Sequence, residues 1–306
     1  MSSTPLRILA IHAHPDDETL YTGGTLAFYA HNGADVSVLT CTLGEEGEVI
    51  GEKYAQLVAA DGGADQLGGY RIHELTQALA ALGAGQPQFL GGAGHYRDSG
   101  MLGTPANDHL RAFIGADDEL VAEQMACWIR RICPDVVLVY DDGGTYGHPD
   151  HIKAHHCGVR AVELAAHHPD PDVDVVRSSG VALSNCTSEE PDSLRLAPAW
   201  DTPRLYWMMQ SETRLELGLD AIAGSLPEAW TLPNATELFC TEDAATTLVV
   251  ELDEAAYTAK VAALRAHATQ VTVHEPTAGP LSFAMSNNIA QPLLPTEEFR
   301  LVRNSQ

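Results

Sequence analysis

The sequence predicts an α/β protein: a doubly wound, mostly parallel Rossmann-like sheet with a smaller C-terminal lobe. Apolar, strand-like runs at 6–13, 35–42 and 135–140 alternate with stretches of helical periodicity. An unbroken apolar run is typical of a parallel strand buried on both faces. The chain has 306 residues, of which 45% are hydrophobic, so it can form a large buried core.

The predicted elements of the first half follow one another as strand, helix, strand. The strands are apolar or rich in Val and Thr, and Gly33 is placed to end the first helix. This alternation favours a parallel sheet with helical crossovers. The predicted strands are 6–13, 35–42, 88–90 and 135–140, and the predicted helices are 22–32, 54–67, 71–82, 118–132 and 151–164.

The composition changes at 167–203, where Pro, Asp, Ser and Glu form turn or linker sequences. Beyond this stretch we expect strands at 204–209 and 246–252 and a helix at 254–267. We therefore predict an α/β core at 1–168, a variable linker or insertion at 169–203, and a C-terminal lobe at 204–306 that completes the ligand site.

Charge and cysteine content limit the partners and the compartment. Lys and Arg number 17 against 42 Asp and Glu, a formal net charge of −25, and such a field repels nucleic-acid phosphates. None of the six cysteines forms a Cys-x-x-Cys pair, which is typical of reduced thiols in the cytoplasm. We find no signal peptide and no apolar run of the ~20 residues that cross a bilayer, so we expect no membrane partner.

Two short polar motifs directly follow predicted buried strands. His14-Pro15-Asp16-Asp17-Glu18 comes after the first strand, and Tyr146-Gly147-His148-Pro149-Asp150-His151 comes after the strand at 135–140. Ligands of open α/β sheets bind outside the carboxyl ends of the strands. The two distant motifs are therefore expected to meet at one site.

The residue types of these motifs indicate a metal. Catalytic zinc takes three protein ligands from His and Asp or Glu and keeps one position open. His14 and Asp17 are spaced to share one side of a starting helical turn, and His151 would be the third ligand. The predicted cofactor is one Zn²⁺ per chain, although Fe²⁺ or another divalent ion suits the same residues.

The neighbouring residues suggest hydrolytic chemistry. Asp16 is a candidate general base toward a water at the metal. His148 is a candidate general acid or transition-state stabiliser, and Asp150 could orient one of the imidazoles. Tyr146 could donate its hydroxyl to a developing oxyanion.

A structural explanation competes with the chemical one. Asp16 or Asp17 would also suit a helix N-cap, with Glu18 in the first turn, and the second motif could be a surface turn. Other histidines are not predicted as ligands. We expect His12 in the core or behind the site, and His155 and His156 on a helix surface or packed behind the site. Four others are expected on the surface: His167, His168, His267 and His274.

The two motifs together resemble those of the LmbE-like (PIG-L) zinc deacetylases. The resemblance extends over about residues 5–300 and is weakest at 168–200. Within that family, several loops resemble the deacetylases of mycothiol biosynthesis: Thr40–Gly51, Asp65–Ile72, Gly91–Gly94, Arg97–Met101 and Ala266–Val271.

The resemblance implies a reaction and a set of roles. The substrate would be an amino-sugar–inositol whose acetamide is hydrolysed to the free amine and acetate. By motif matching, His14, Asp17 and His151 would bind zinc, Asp16 would be the base, and His148 and Tyr146 would act on the amide. The resemblance also suggests that four residues contact sugar or inositol hydroxyls: Glu48, Arg71, Asp98 and Asn287.

Three alternatives remain open at this stage. The related mycothiol S-conjugate amidases share the metal motifs but typically have a Lys shortly after the first, where this chain has Thr19-Leu20-Tyr21-Thr22. A non-catalytic nucleotide-binding or regulatory protein is disfavoured, because the first loop lacks a Gly-x-Gly-x-x-Gly phosphate cradle. A lectin-like binding role is the third alternative. The sequence does not predict the oligomeric state.

Overall fold

A computed structural model describes residues 4–59, 62–168 and 198–305. Its centre is a sheet of seven strands: β1 (Arg7–His12), β2 (Asp35–Thr40), β3 (Gln88–Phe89), β4 (Val136–Val139), β5 (Arg204–Met209), β6 (Leu248–Glu251) and β10 (Thr296–Asn304). Their order across the sheet is β3-β2-β1-β4-β5-β10-β6. Strands β1 to β5 are mutually parallel, whereas β10 runs antiparallel to both β5 and β6.

The described residues contain six α-helices. They are α1 (Asp17–His31), α2 (Leu67–Leu82), α3 (Asp118–Ile132), α4 (Pro149–Ala165), α5 (Glu212–Ile222) and α6 (Glu254–Ala266). A kinked turn, Gly144–Gly147, precedes α4. Short 3₁₀ turns lie at Ala55–Leu57, Pro105–Asp108, Phe113–Gly115, Ala235–Glu237 and Asp243–Ala245.

The sheet is wound in two directions from β1. The chain passes from β1 to β2 and β3 on one side, and later to β4 and β5 on the other. Since parallel crossovers are right-handed, the two windings place their helices on opposite faces. Helices α1 and α2 pack with α6, while α3 packs with α4. This is the predicted doubly wound, mostly parallel fold.

The apolar core lies between the sheet and these helices. Strand β1 is buried over Ile8–His12, and its neighbour β4 is buried over Val137–Val139. These two strands read as apolar runs because helices cover both faces of the sheet. Their carboxyl ends, where the two motifs begin, therefore rest on a rigid support.

The C-terminal part of the chain is more closely joined to the core than its sequence suggests. Strands β5, β6 and β10 extend the central sheet. A separate antiparallel sheet contains β7 (Thr272–His274), β8 (Ser282–Ala284) and β9 (Gln291–Pro292). The division at 168 and 203 stays a prediction, and residues 169–197 of the expected linker lie outside the described residues.

One predicted helix is wrong. The part of 54–67 that the structure describes has no α-helix before Leu67, where α2 begins, and contains the 3₁₀ turn Ala55–Leu57 instead. Gly62 has φ 82°, and a Cβ on Gly63 would lie 2.1 Å from the carbonyl oxygen of Val58. The glycine pair thus permits a tight turn that helical periodicity could not reveal.

Other boundaries and elements also differ from the prediction. Helix α1 begins at Asp17, five residues before the expected start, and α4 begins at Pro149. Helix α5 and strands β7 to β10 were not predicted. Leu215, Leu219 and Ile222 do lie at helical spacing on the buried face of α5, so a periodic signal for that helix was present.

Candidate metal and catalytic site

The site lies where the winding of the sheet reverses. Strand β1 has β2 on one side and β4 on the other, and the chain leaves β1 and β4 in opposite directions. This arrangement opens a crevice at the carboxyl ends of the two strands. The first motif follows β1 and the second follows β4, so the topology brings residues 137 positions apart, His14 and His151, together.

Three ligand-type atoms converge in this crevice. Asp17 Oδ2 lies 3.3 Å from His14 Nδ1 and 3.3 Å from His151 Nε2, and the two nitrogens are 3.2 Å apart. All three side chains are buried. A tetrahedral ion with bonds of ~2.0–2.1 Å has edges of about 3.3–3.4 Å between its ligand atoms. The triangle therefore fits zinc in both spacing and residue types.

The outer nitrogen of each imidazole has its own partner. His14 Nε2 lies 3.3 Å from Asp150 Oδ2 and 3.5 Å from Asp98 Oδ1. His151 Nδ1 lies 3.2 Å from Thr145 Oγ1. Such contacts fix the ring orientation and the tautomer. They leave His14 Nδ1 and His151 Nε2 free to face Asp17.

Charge around His14 and Asp17 suits a cation. Burial alone would lower the pKa of His14, yet the carboxylates of Asp98, Asp150 and Asp17 raise it well above its ordinary value. Burial would raise the pKa of Asp17, but His151 and His14 hold it well below its ordinary value. Two further groups of ligand-type atoms share this pocket, one from His14, His148 and His151 and one from His14, Asp98 and Asp150.

Tyr140 contacts two members of the triangle, Asp17 and His151, and the sequence analysis did not predict this role. Its hydroxyl donates to Asp17 Oδ2 at 2.7 Å and accepts from the Ala13 N–H at 2.7 Å. Its ring stacks on that of His151 at 4.3 Å between centroids. The signal in the sequence was a polar aromatic residue at the end of a buried strand, shortly before the second motif.

Asp16 is buried beside the triangle with its carboxylate held by a guanidinium. Arg71 Nη2 lies 3.0 Å from Asp16 Oδ2. Burial raises the pKa of Asp16 to about 7, and Arg71 opposes that rise. The Asp16 side chain makes no capping hydrogen bond to α1. The helix-cap explanation of the first motif therefore does not describe Asp16.

His148 is oriented by the helix that it begins. Its Nδ1 accepts from the Asp150 N–H at 3.2 Å, so the neutral ring carries its proton on Nε2. That Nε2 lies 3.9 Å from Asp98 Oδ1. Burial, reinforced by His14 and His151, lowers the pKa of His148 to about 4. The ring is thus a neutral donor that faces the pocket.

Tyr146 lies at the mouth of the pocket. Its side chain is 52% exposed, and its ring centroid is 4.9 Å from that of His151. Thr145 beside it has φ 60° and ψ −94°, which kinks the turn between β4 and α4. The kink turns Tyr146 outward while Thr145 contacts His151.

The four residues predicted to contact sugar hydroxyls form two pairs. Arg71 and Asp98 are buried: Arg71 contacts Asp16, and Asp98 lies between His14 and His148. Glu48 and Asn287 are exposed, and Glu48 accepts a hydrogen bond from Ser286 Oγ at 2.9 Å. The structure thus places two of these residues among the motif side chains and the other two at the surface.

The expectation that His267 lies on the surface is wrong. It is 0% exposed, and its Nε2 lies 2.7 Å from Glu18 Oε1. Its position just after α6 gave no sign of burial, because the partner is 249 residues away. His12 is in the core, with Nε2 3.1 Å from Thr22 Oγ1, and His155 packs against Trp207 behind the site.

These features define the class of protein. It is a doubly wound α/β protein with two imidazoles and two carboxylates gathered at its switch point, in a spacing that suits a metal-dependent hydrolytic site. None of the helices described is long and apolar enough to span a membrane.

The chain belongs to the PIG-L (GlcNAc-PI de-N-acetylase) family, whose model matches residues 9–162. It is 50% identical over 302 residues to the 1D-myo-inositol 2-acetamido-2-deoxy-alpha-D-glucopyranoside deacetylase of Rhodococcus erythropolis, covering 98% of this chain and 92% of the relative. The protein of the same name from Corynebacterium diphtheriae is 43% identical, with coverage of 96% and 92%.

Solved structures share the fold at low sequence identity. The N,N'-diacetylchitobiose deacetylase of Pyrococcus horikoshii has a TM-score of 0.51 at 17% identity, over 86% of this chain and 70% of that one. The 4-carboxy-2-hydroxymuconate hydratase of Pseudomonas putida has a TM-score of 0.52 at 15% identity, over 98% of both chains. A deacetylase and a hydratase thus share this architecture, so the fold alone does not define the reaction.

Proposed function

We propose that this protein hydrolyses the acetamide of 1D-myo-inositol 2-acetamido-2-deoxy-alpha-D-glucopyranoside, releasing acetate and the free amine for mycothiol biosynthesis. The observation that supports this proposal most strongly is the buried triangle of His14, Asp17 and His151, together with the buried carboxylate of the adjacent residue Asp16. The near-complete match to relatives that bear this substrate in their name supports the choice of substrate.

We further propose that His14, Asp17 and His151 hold a divalent cation, with Zn²⁺ the best fit to the donor set. When bound, the cation supplies a Lewis acid that polarises the amide and lowers the pKa of a water. Tyr140 and Asp150 keep two of the three ligands in their orientation through the contacts described above. A site formed by buried, pre-oriented ligands loses little entropy when the cation binds.

Asp16 is proposed as the general base. Its buried carboxylate lies next to the triangle, and a pKa of about 7 suits a group that accepts a proton near neutral pH. Arg71 keeps the carboxylate fixed. In the reaction, Asp16 takes the proton from the attacking water.

His148 and Tyr146 are proposed to act on the amide. The Nε2–H of the neutral His148 ring donates a hydrogen bond to the charge that develops during attack, and the proton that Asp16 takes from the water passes to the leaving amine. Tyr146 donates its hydroxyl to the former carbonyl oxygen from the mouth of the pocket. Its exposure in the free protein would allow this side chain to close over the substrate.

Glu48, Arg71, Asp98 and Asn287 are proposed to hold the sugar and inositol. The exposed side chains of Glu48 and Asn287 suit the substrate hydroxyls that enter the site last. Asp98 suits a hydroxyl close to the acetamide, since its carboxylate already lies between His14 and His148. The Nε atom of Arg71 has no hydrogen-bond partner among the described residues and could donate to the substrate.

Metal depletion is the first test of this function. Purified protein should contain about one zinc or other divalent ion per chain, and a chelator should abolish acetate release until metal is restored. Acetate is measured from the acetylated amino-sugar–inositol. Full activity after complete removal of metal would overturn the proposal.

Replacing the base separates chemistry from metal binding. Asp16→Asn should lower kcat by about 10²–10⁴-fold, because a positioned general base contributes that much. Metal content should remain near that of the wild type, since Asp16 is not one of the three ligands. Near-normal turnover in this variant would exclude Asp16 as the base.

Substrate choice is tested by comparing kcat/KM for the acetylated amino-sugar–inositol with that for mycothiol S-conjugates. We expect a preference for the former. A preference for the conjugates would reassign the protein to amidase activity with the same catalytic groups.

The cytoplasmic location is likewise a proposal, supported by the unpaired thiols Cys41, Cys127, Cys133, Cys157 and Cys240.

A further inference from the structure

We propose that Glu18 and His267 form a positioning pair that holds the backbone of Asp16 in the conformation required of the base. The inference rests on the proposed role of Asp16. It gives a function to two fully buried groups that bind neither the proposed metal nor the substrate.

The backbone of Asp16 is strained. Its φ is 118° and its ψ is −33°, a region that residues with a Cβ rarely occupy. Strain of this kind typically costs about 1–3 kcal/mol and persists only where the surroundings enforce it. The strained residue is the proposed base, whose buried carboxylate pairs with Arg71 and interacts electrostatically with Asp17 and His14, so the strain lies at the residue whose geometry matters most.

Glu18 supplies the restraint. Its Oε2 accepts from the Asp16 N–H at 2.9 Å, and its side chain is 0% exposed. The carbonyl of Asp16 is held as well, since it accepts from the Thr19 and Leu20 N–H groups at 2.9 Å each. With both backbone polar groups of Asp16 bonded, its peptide planes have little freedom to relax.

His267 keeps Glu18 in place. A buried carboxylate without a partner would be costly and would neutralise or move. His267 Nε2 lies 2.7 Å from Glu18 Oε1, which leaves Oε2 for the Asp16 N–H. The imidazole and the Thr19 hydroxyl both bind Oε1, and the imidazole is the partner that comes from the distant C-terminal part of the chain.

The turn that carries His267 is anchored independently. Thr269 donates its N–H and its hydroxyl to the two carboxylate oxygens of Glu74, at 2.8 Å and 2.7 Å, and its carbonyl accepts from the Ile50 N–H at 2.9 Å. Glu74 belongs to α2, the same helix as Arg71. The C-terminal part of the chain therefore restrains the backbone of Asp16 through His267 and Glu18. It also packs against α2, the helix whose Arg71 holds the Asp16 side chain.

The test compares variants of the pair with a control in the same turn. His267→Leu removes one of the two partners of Glu18 Oε1 and leaves the Thr19 hydroxyl as the other, whereas His267→Gln retains a donor at the position of the imidazole. Thr269→Val removes a hydroxyl that is equally buried but does not contact Glu18 or Asp16, and the turn stays anchored because the Thr269 N–H bond to Glu74 and the Ile50 N–H bond to the Thr269 carbonyl are retained. For each metal-loaded variant, kcat, KM, metal content and the melting temperature are measured.

We expect His267→Leu to lower kcat at least tenfold with KM within twofold and metal content unchanged, and His267→Gln to recover part of that loss. Glu18→Gln should lower kcat similarly, and the double variant should be no worse than the poorer single one, because both act through one contact. Thr269→Val should keep kcat within twofold. The proposal is overturned if the His267 variants keep full kcat, or if Thr269→Val loses as much kcat for an equal fall in melting temperature.

Crystal structures of the wild type and His267→Leu test the inference without an assay. The wild type should show residue 16 at a φ near 118°, and the variant should show it relaxed to a negative φ. If the leucine variant does not fold, the glutamine variant is used, in which a partial shift is expected. An unchanged backbone in the variant would refute the positioning role, whereas an inactive wild type with the expected backbone shift would refute only the proposed function.

Discussion

At the scale of single residues, the site depends on contacts that orient its ligands. His14 and His151 each have a partner on the outer nitrogen that leaves the other nitrogen free to face Asp17, and Tyr140 donates to the Asp17 oxygen that faces them. Ligands that are fixed in this way bind a metal more tightly than mobile ones, and the supporting residues are nearly as important as the ligands. Tyr140 is the strongest example, since one hydroxyl joins Asp17 to the end of β1.

Tyr140→Phe isolates the effect of that hydroxyl. The ring that stacks on His151 is retained, but Asp17 loses a donor and the Ala13 N–H loses its acceptor. Loss of such a supporting contact typically lowers metal affinity by about 10–100-fold. Competition with a chelator of known affinity measures the change, and an affinity equal to that of the wild type would contradict it.

At the scale of elements, helix α1 is not an ordinary amphipathic helix. Glu297 on β10 accepts from the Gly24 and Thr25 N–H groups at 2.8 Å and 2.7 Å, in the middle of the helix. Lys260 on α6 binds Glu297 at 2.6 Å and donates to the Leu20 carbonyl at 3.1 Å. Mid-helix groups normally bond to each other, so this buried ion pair has replaced part of the ladder.

Gly24→Ala tests how closely α1 is packed. A Cβ at this position would lie 2.3 Å from Leu252 Cδ1, and overpacking of this kind typically costs about 1–3 kcal/mol of unfolding free energy. Gly69→Ala is the matched control, because a Cβ at that position of α2 would have no neighbouring atom within 4 Å outside its own helix backbone. The control should be neutral or stabilised by up to about 1 kcal/mol, from helix propensity.

Urea unfolding of both variants measures the difference. A Gly24→Ala protein as stable as Gly69→Ala would mean that Leu252 moves aside without cost.

At the scale of the whole molecule, the C-terminal part belongs to the site as much as to the sheet. Strand β10 places Glu297 against α1, and the turn after α6 places His267 against Glu18. The buried Glu18–His267 pair links the first and last thirds of the chain. Its charge state should therefore be visible in the stability of the entire fold.

The pH dependence of unfolding tests this link. Burial alone would lower the pKa of His267, but Glu18 and then Asp16 raise it above its ordinary 6.5, against the opposing charge of Arg71. A raised folded-state pKa gives stability that is fully present below about pH 6.5 and is lost as the pH rises through the folded-state value. The unfolding free energy of the wild type relative to His267→Gln should therefore decrease as the pH rises above about 6.5.

Urea unfolding of the two proteins at several pH values measures the difference. A gap that widened with rising pH would contradict the raised pKa. Glu18 does not reverse this trend. His267 keeps the pKa of Glu18 below its ordinary 4.5, so the stability that the Glu18 carboxylate contributes is lost only at more acidic pH.

The sequence by itself determined the parallel core and the polar motifs, because both are local. Apolar runs record strands buried on both faces, and an His-Pro-Asp-Asp-Glu segment after such a strand indicates a ligand site from its residue types and position alone. The chain order of strands and helices was sufficient to predict that His14 and His151 would meet.

Only the tertiary structure decided which groups support the motifs. Arg71, Tyr140 and His267 reach Asp16, Asp17 and Glu18 from distant elements, and no spacing along the chain encodes those contacts. The physical reason is that a buried charge or strained backbone is stabilised by whatever partner the packing brings near, often hundreds of residues away. The reactive residues were therefore readable in the sequence, whereas the contacts that hold them in place exist only in the folded chain.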